Sequence, residues 1–295
     1  MTESVNTELR IAVIGAGPAG VYSSDIFLRQ LKKLGEELGL GTEARIDLFE
    51  KLPVPFGLVR YGVAPDHPSI KFIASALEKT LDNPDIHLYC DVEFGKDVTL
   101  DELLERYDAV LFATAAVQDK PLGLPGADLD GVYGAAKFVE WYDGYPTGAR
   151  EWPLEAEEVA VIGGGMVGCE VADFLGELGH EVSVIELRDQ LGPDVIPEHR
   201  KFLMKDFEAY KVQGVTGAKV AQFFTDGVSY TLADGTEGRL EGFDNVVLAM
   251  GYRNNDTISE EIKKIVAETY VIGDAVKARK ALDATAEGLN AALEI

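Results

Sequence analysis

The sequence predicts an α/β protein with two doubly wound parallel sheets, each built around a glycine-rich turn. Two observations carry this prediction. An apolar strand, a glycine turn and the start of a helix follow one another directly at residues 11–20 and again at residues 159–168. Strand and helix patterns also alternate along most of the chain, which is typical of parallel sheets covered by helices. The length of 295 residues suits two domains of ordinary size.

Both turns have the spacing Gly-x-Gly-x-x-Gly. The first glycine makes the tight turn, the second lets a pyrophosphate approach the backbone, and the third lets helix and strand pack closely. The N-terminus of the helix then faces the phosphates. One such motif is weak evidence, but two in this context predict two Rossmann-like domains that bind two dinucleotides. The residues assigned to binding are Gly15, Gly17, Pro18, Ala19 and Gly20 in the first turn and Gly163, Gly165, Met166, Val167 and Gly168 in the second.

A carboxylate ends the strand that follows each turn. These are Glu50, with Lys51 after it, and Glu186, which lies close to the expected spacing of about 20 residues from its turn. A carboxylate here accepts hydrogen bonds from ribose hydroxyls and repels a 2′-phosphate. The longer interval before Glu50 fits a longer helix and connector through residues 31–42. The alternative is that each glutamate only ends a surface strand.

The simplest organisation is nested. Residues 1–116 and 251–295 form the first domain, and residues 117–250 form a second domain inserted into it. Two crossings, near residues 117–126 and 251–254, join the domains. Smaller predicted elements are a hairpin with an Asp-Gly turn after residue 228, short strands at 92–94 and 270–274, and a helix at 283–295.

Composition excludes several classes of partner. The formal net charge of −24 argues against binding to nucleic acids and to anionic membranes. Cys90 and Cys169 form no CxxC motif, so structural thiols in a reducing compartment are expected. The first residues lack the features of a signal peptide, and no apolar run has the length of a membrane span. We therefore expect a cytoplasmic protein, and the spacing of the histidines predicts no metal site.

The chain resembles the flavoprotein reductases that use pyridine nucleotides and have two dinucleotide-binding domains. The resemblance rests on the first glycine turn, on Ala113-Thr114 at the end of a strand, and on residues 270–274. It implies FAD on the first turn and NADH or NADPH on the second, with hydride passing to flavin N5. The residues that it further assigns to cofactor binding are Ala113, Thr114, Gly251, Gly273, Asp274, Asp283 and Ala284, with the N-terminus of the last helix stabilising charge on the flavin.

A closer resemblance is regional. Residues 52–68, 124–126 and 138–142 are similar to the adrenodoxin-reductase-like ferredoxin–NADP reductases. The resemblance implies that Gly57, Leu58, Val59 and Arg60 line the flavin, and that His67 lies near the reacting ring as the one catalytic side chain. The alternative for His67 is a surface histidine held by neighbouring prolines.

The chain departs from that family in three places. Glu186 and Arg188 stand where the family has paired arginines for the 2′-phosphate, which favours NADH, although Arg188 is able to reach a phosphate. Ala115 replaces a glycine, and its side chain restricts how closely the backbone approaches FAD. The segment 271–295 instead resembles the end of old-yellow-enzyme-like enoate and dienoyl-CoA reductases, whose matching module passes electrons to further redox centres.

Three functions fit these features. The first is a reductase that hands electrons from NAD(P)H through FAD to a ferredoxin-like carrier or a partner redox subunit. The second is an NAD(P)H oxidase or small-molecule reductase. The third is a nucleotide-binding structural or regulatory subunit. Reduction of the flavin by NADH separates the third function from the other two.

Overall fold

Strands and helices alternate in the protein much as the sequence predicts. The computed structural model describes residues 8–39, 43–62, 72–116, 118–152, 155–254, 256–279 and 281–294. The chain divides into two compact units, Met1–Ala115 and Ala116–Ile295. Each unit contains one parallel sheet with a glycine turn at the end of a central strand.

The first unit holds a four-stranded parallel sheet in the order β3-β2-β1-β4. Its strands are β1 (Glu8–Ile14), β2 (Glu43–Phe49), β3 (Ile86–Tyr89) and β4 (Ala109–Phe112). Its helices are α1 (Pro18–Leu38), α2 (Gly57–Tyr61), α3 (Ile73–Leu81) and α4 (Leu100–Arg106). The helix α1 ends at Leu38, so its length accounts for most of the long interval between Gly15 and Glu50.

The central strand β1 is buried on both faces because its side chains alternate between two cores. Ile11 and Val13 pack in the cluster that also contains Val21 of α1. Ala12 and Ile14 point to the opposite face, where they join Leu103 of α4. An apolar run of this kind is typical of a parallel strand covered by helices on both sides.

The second unit holds a five-stranded parallel sheet, in the order β5-β12-β6-β7-β8, and a three-stranded antiparallel sheet, in the order β11-β10-β9. The parallel strands are β5 (Val132–Gly134), β6 (Glu158–Ile162), β7 (Glu181–Ile185), β8 (Gln213–Val215) and β12 (Asn245–Leu248). The antiparallel strands are β9 (Ala218–Phe224), β10 (Gly227–Leu232) and β11 (Glu237–Glu241). The helices are α5 (Ala135–Tyr142), α6 (Met166–Glu177), α7 (Pro197–Tyr210), α8 (Ser259–Ile265) and α9 (Ala281–Glu294).

Strand β6 repeats the arrangement of β1. Val159 and Val161 pack with Cys169 and the rest of the apolar face of α6. Ala160 and Ile162 point the other way, into a cluster shared with the antiparallel sheet. The glycine turn after β6 is therefore held between two buried cores.

The two predicted crossings run side by side within the second unit. The Lys120 N–H donates to the Gly251 carbonyl at 2.8 Å, and the Arg253 N–H donates to the Gln118 carbonyl at 2.9 Å. Asp119 and Tyr252 form an antiparallel bridge between them. The second compact unit includes residues 251–295, which the sequence assigns to the first domain. The nested organisation is a proposal that the paired crossings support.

Some predicted elements differ in the structure. The hairpin is confirmed, because β10 and β11 pair antiparallel across Asp234 and Gly235. Residues 92–94 form no strand, and Phe94 makes only an isolated bridge to Val98. The predicted strand at 270–274 is wrong, because Gly273 has φ of 63° and begins a 3₁₀ turn. The last helix begins at Ala281, two residues before the predicted start.

Neither a membrane helix nor a metal cluster is found among the described residues. None of the helices within them has both the length and the apolar character needed to cross a membrane. In the same part of the chain, no group of three or more His, Cys, Asp or Glu side chains is placed to hold a metal ion.

We predict that Ala115→Gly stabilises the protein. Ala115 has φ of 55°, and Gly251, at the matching place after β12, has φ of 79°. A left-handed backbone costs an alanine about 1–2 kcal/mol, and glycine avoids this cost. Glycine also loses more conformational freedom when the chain folds, and this loss offsets part of the gain. Urea unfolding is expected to give Ala115→Gly a free energy of unfolding about 0.5–1 kcal/mol higher. The matched variant Gly251→Ala is expected to lose stability, and destabilisation by Ala115→Gly would contradict the explanation.

We predict that Asp119 makes stability depend on pH. Burial raises the pKa of this carboxyl above its ordinary value of 3.8, while the Ala136 N–H at the start of α5 opposes the rise. A raised pKa in the folded state means that ionisation costs stability, and this cost grows as pH rises from the unfolded pKa through the folded pKa. The difference in stability between the natural protein and Asp119→Asn is the quantity to compare. We expect it to be less favourable to the natural protein at pH 7 than at pH 4. Thermal unfolding of both proteins at the two pH values measures this, and the opposite trend would refute it.

Candidate functional site

The first glycine turn is fixed by contacts with neighbouring strands. The Gly15 N–H donates to the Phe49 carbonyl at 2.7 Å, and Gly15 has φ of 106°. A Cβ at Gly15 would lie 2.4 Å from the Ala113 carbonyl oxygen and 3.4 Å from the Thr114 nitrogen. The predicted residues Ala113 and Thr114 therefore border the turn directly, and only glycine fits between them.

The middle of this turn is open. A Cβ at Gly17 would meet no heavy atom within 4 Å, whereas one at Gly20 would lie 2.0 Å from the Gly15 carbonyl oxygen. Gly17 is the N-cap of α1, Pro18 is its first residue, and Ala19 next to it is exposed. The first N–H groups of a helix lack intrahelical partners, so this space suits an anion. Its shape and charge fit the pyrophosphate of FAD.

Glu50 is buried and hydrogen-bonds to the backbone of the same turn. Its side chain is 6% exposed, and its two oxygens accept from the Ala16 N–H at 2.9 Å and the Leu52 N–H at 3.0 Å. The sequence predicted a ribose contact for this carboxylate but missed its contact with the turn. The alternative of a glutamate that only ends a surface strand is wrong, because the group is buried and bonded. Lys51, next to it, is exposed.

The segment after Glu50 also docks on the first turn. The Phe56 N–H donates to the Ala16 carbonyl at 2.8 Å, and a Cβ at Gly57 would lie 3.5 Å from the Gly17 Cα. Within α2, Val59 is buried, whereas Leu58 and Arg60 are exposed. The predicted flavin-lining stretch therefore lies against the predicted FAD turn. His67 lies outside the described residues.

The second turn repeats the first. Gly163 has φ of 101° and donates to the Ile185 carbonyl at 2.9 Å. Its Cβ would lie 2.4 Å from the Ala249 carbonyl oxygen, and a Cβ at Gly168 would lie 1.8 Å from the Gly163 carbonyl oxygen. Glu186 is 5% exposed and accepts from the Gly164 N–H at 2.5 Å. The second turn therefore matches the first in its glycines, in its buried glutamate and in the strand carbonyl against which its first glycine packs.

Arg188 and Asp194 bring two further charged groups to the second turn. The Arg188 N–H and Nε donate to Glu186 Oε1 at 2.8 and 3.1 Å. The Met166 N–H donates to Asp194 Oδ1 at 3.0 Å. A Cβ at Gly165 would lie 3.4 Å both from Arg188 Nη2 and from Asp194 Oδ2. Asp194 was missed from the sequence, because nothing in its local pattern indicates a contact with a distant turn.

The other residues predicted to bind the second dinucleotide lie in α6 and after β12. Met166 is 46% exposed, and Val167 beside it is half-buried. Gly251 is exposed, and its carbonyl accepts from the Lys120 N–H, so it belongs to the crossing as well as to the end of β12. The turn, Arg188 and the start of α6 together fit the pyrophosphate of a second dinucleotide.

The predicted residues of the C-terminal segment form a third local group. The Gly273 N–H donates to Glu287 Oε2 at 2.7 Å, and a Cβ at Gly273 would lie 3.2 Å from the Ala284 Cβ. Asp274 accepts from the Arg279 N–H at 3.3 Å, and Asp283 lies in the first turn of α9. The neighbouring Arg279 guanidinium lowers the pKa of Glu287. Glu287 was missed, and the role of this group toward FAD stays a prediction.

Neither cysteine has the character of a redox thiol. Cys169 is fully buried behind the second turn, where its Sγ donates to the Gly164 carbonyl at 3.3 Å. Burial raises the pKa of this thiol to about 12. Burial also raises the pKa of Cys90. Since a reactive cysteine needs a lowered pKa, both thiols suit a structural role.

The chain matches known proteins along most of its length. Residues 9–277 match the family model described as pyridine nucleotide-disulphide oxidoreductase. A mitochondrial NADPH:adrenodoxin oxidoreductase of Drosophila melanogaster is 41% identical over 174 residues, 59% of this chain and 35% of that protein. The NADPH-ferredoxin reductase FprA of Mycobacterium leprae is 40% identical over 166 residues, 56% of this chain and 35% of that protein. The chain thus spans about a third of the length of these relatives.

Solved structures share the fold at low sequence identity. Mycobacterium tuberculosis FprA in complex with NADPH has a TM-score of 0.71 and 24% identity over 85% of this chain and 72% of that chain. A 2-naphthoyl-CoA reductase has a TM-score of 0.73 and 23% identity, over 98% of this chain and 40% of that chain. These likenesses confirm the predicted α/β fold with parallel sheets. The match over residues 9–277 shows that the chain belongs to the pyridine nucleotide-disulphide oxidoreductase family.

Proposed function

We propose that this protein is an FAD-dependent oxidoreductase that takes hydride from NAD(P)H and passes electrons to a ferredoxin-like carrier or a partner redox subunit. The observation that carries the proposal is the repeated turn: two glycine turns that each begin a helix and are each held by a buried glutamate. One dinucleotide on each turn brings a hydride donor and a hydride acceptor into one chain. FAD, when bound, supplies the chemistry by accepting a hydride and releasing electrons singly or in pairs.

The first turn and the segments that the resemblance assigns to it hold FAD in this proposal. The helix α1 presents its N-terminus to the pyrophosphate, and Glu50 positions the turn and accepts from the ribose. Gly57 to Arg60 line the flavin, with His67 near the reacting ring. Asp274 and the N-terminus of α9, at Asp283 and Ala284, orient the ribityl chain and stabilise charge on the ring.

NADH is the favoured donor. In the second turn the Glu186 carboxylate is buried and lies beside the ribose position, where it repels a 2′-phosphate. Arg188 opposes this repulsion only in part, because its Nε already donates to Glu186 Oε1. The adrenodoxin and ferredoxin reductases named above carry NADPH in their names, so the preference for NADH that we propose departs from theirs.

The acceptor is argued from the relatives. They are named for adrenodoxin and ferredoxin, which makes a small redox protein the acceptor that we propose. The net charge of −24 gives no general attraction for an acidic carrier, so docking needs a local basic surface. We place the protein in a reducing cytoplasm, which suits its two free thiols.

An anaerobic titration with NADH and NADPH, followed at the flavin absorbance band, tests the proposed function. We expect FAD to co-purify with the protein and NADH to bleach it at a lower concentration than NADPH. Electron transfer to a ferredoxin that exceeds transfer to oxygen supports the proposed acceptor, and the reverse supports an oxidase. A protein without flavin, or with flavin that neither nucleotide reduces, would leave only a nucleotide-binding subunit.

We predict that Glu186→Gln shifts the preference toward NADPH. The variant removes the charge near the 2′-phosphate and leaves an amide oxygen that accepts from the Gly164 N–H. Its amide nitrogen cannot accept the two bonds from Arg188, so the Arg188 guanidinium also becomes available to the phosphate. The ratio of kcat/KM for NADPH to that for NADH is expected to rise about tenfold, since an unscreened pair of like charges is worth ~1 kcal/mol or more.

The matched control is Asp189→Asn, which removes a carboxylate from the exposed side of the same loop. Its NADPH to NADH ratio is expected to stay at the natural value. An unchanged ratio in Glu186→Gln, with the thermal midpoint preserved, would refute the role of Glu186 in discrimination.

A further inference from the structure

The two turns differ at the first residue of their helices. Helix α1 begins with Pro18, which has no N–H to offer. Helix α6 begins with Met166, whose N–H donates to Asp194 Oδ1 at 3.0 Å. The second turn therefore presents a donor that the first lacks, and a carboxylate of this same chain takes it.

The loop after β7 is built to place that carboxylate. The Gly192 N–H donates to the Gly164 carbonyl at 2.7 Å, and Gly192 has φ of 57°. Leu191 is 9% exposed and packs against the turn, while Arg200 Nε donates to its carbonyl at 2.7 Å. Asp194 itself is exposed. The loop backbone is thus anchored, whereas the side chain is able to turn away without disturbing a core.

The carboxylate lies where a pyrophosphate binds to such a turn. A Cβ at Gly165, the middle glycine, would lie 3.4 Å from Asp194 Oδ2, whereas the equivalent space at Gly17 is open to 4 Å. The start of a helix favours an anion, and a carboxylate satisfies this preference as a phosphate does. Two anions cannot share the Met166 N–H at this distance without strong repulsion.

We propose that Asp194 is a built-in competitor of the nucleotide: its carboxylate occupies the pyrophosphate position of the second turn and leaves when NAD(P)H binds. The inference rests on the proposed function in that the second turn binds a pyridine nucleotide. Asp194 thereby weakens nucleotide binding. Arg188, whose Nη2 lies near the same glycine, is the cation that the incoming phosphate gains. At the first turn, within the described residues, the space over Gly17 is open to 4 Å.

Direct binding to three variants tests this inference. Asp194→Asn keeps an acceptor for the Met166 N–H and removes the charge, and Asp194→Ala removes both. Asp189→Asn is the control, because it makes the same change in net charge in the same loop. Calorimetry with ADP-ribose, which carries the pyrophosphate but no nicotinamide, measures binding without any redox reaction. We expect both Asp194 variants to bind about fivefold to tenfold more tightly than the natural protein and the control, and the gain to shrink at high salt.

The outcomes separate a competitor from a simple helix cap. If Asp194 only caps α6, both variants lower the thermal midpoint and leave ADP-ribose binding unchanged or weaker, which overturns the inference. Tighter binding of ADP-ribose to both Asp194 variants, with no reduction of the flavin by NADH or NADPH, upholds the inference and refutes the proposed function. Reduction of the flavin by either nucleotide, with equal ADP-ribose affinities in all variants, upholds the proposed function and overturns the inference. Absence of ADP-ribose binding in every variant overturns both.

Discussion

The candidate site depends on one interaction made twice, a buried carboxylate that accepts hydrogen bonds from the backbone of a glycine turn. Glu50 accepts from the Ala16 N–H and Glu186 from the Gly164 N–H, and both carboxylates are nearly inaccessible to solvent. A buried charge persists only where fixed donors compensate its lost hydration. Each turn thus supplies the donors that satisfy its buried glutamate, and each glutamate fixes the turn from which the helix starts.

In the function that we propose, the likeness of the two turns lets one chain hold two dinucleotides, and their differences let it treat the two differently. In the first unit, Phe56 and Gly57 close against the turn, and the space over Gly17 is open. In the second, Arg188 and Asp194 bring a cation and an anion to the middle glycine. The first arrangement suits a cofactor that stays bound, and the second suits a substrate that must leave after each reaction.

The fold was largely predictable because it follows from local patterns. The continuous apolar runs before the glycine turns identified β1 and β6, and the Asp234-Gly235 pair identified the hairpin between β10 and β11. The strand expected at 270–274 failed because Gly273 adopts a left-handed conformation, which hydropathy does not reveal. For the site, the glycines and both glutamates were found from spacing. Asp194 and Glu287 were not, because each contacts a backbone N–H far along the chain, and no local signal marks such a contact.

The central claim is that both turns are binding sites, one for each of two different dinucleotides. The most direct test is the stoichiometry of the purified protein: extracted FAD per chain, together with calorimetry of the FAD-loaded protein with NAD⁺, which binds without reducing the flavin. The account predicts one FAD and one NAD⁺ per chain, with NAD⁺ binding lost when Gly165→Asp adds a charged side chain to the second turn and FAD retained. A single dinucleotide per chain, or NAD⁺ that displaces FAD, would contradict it.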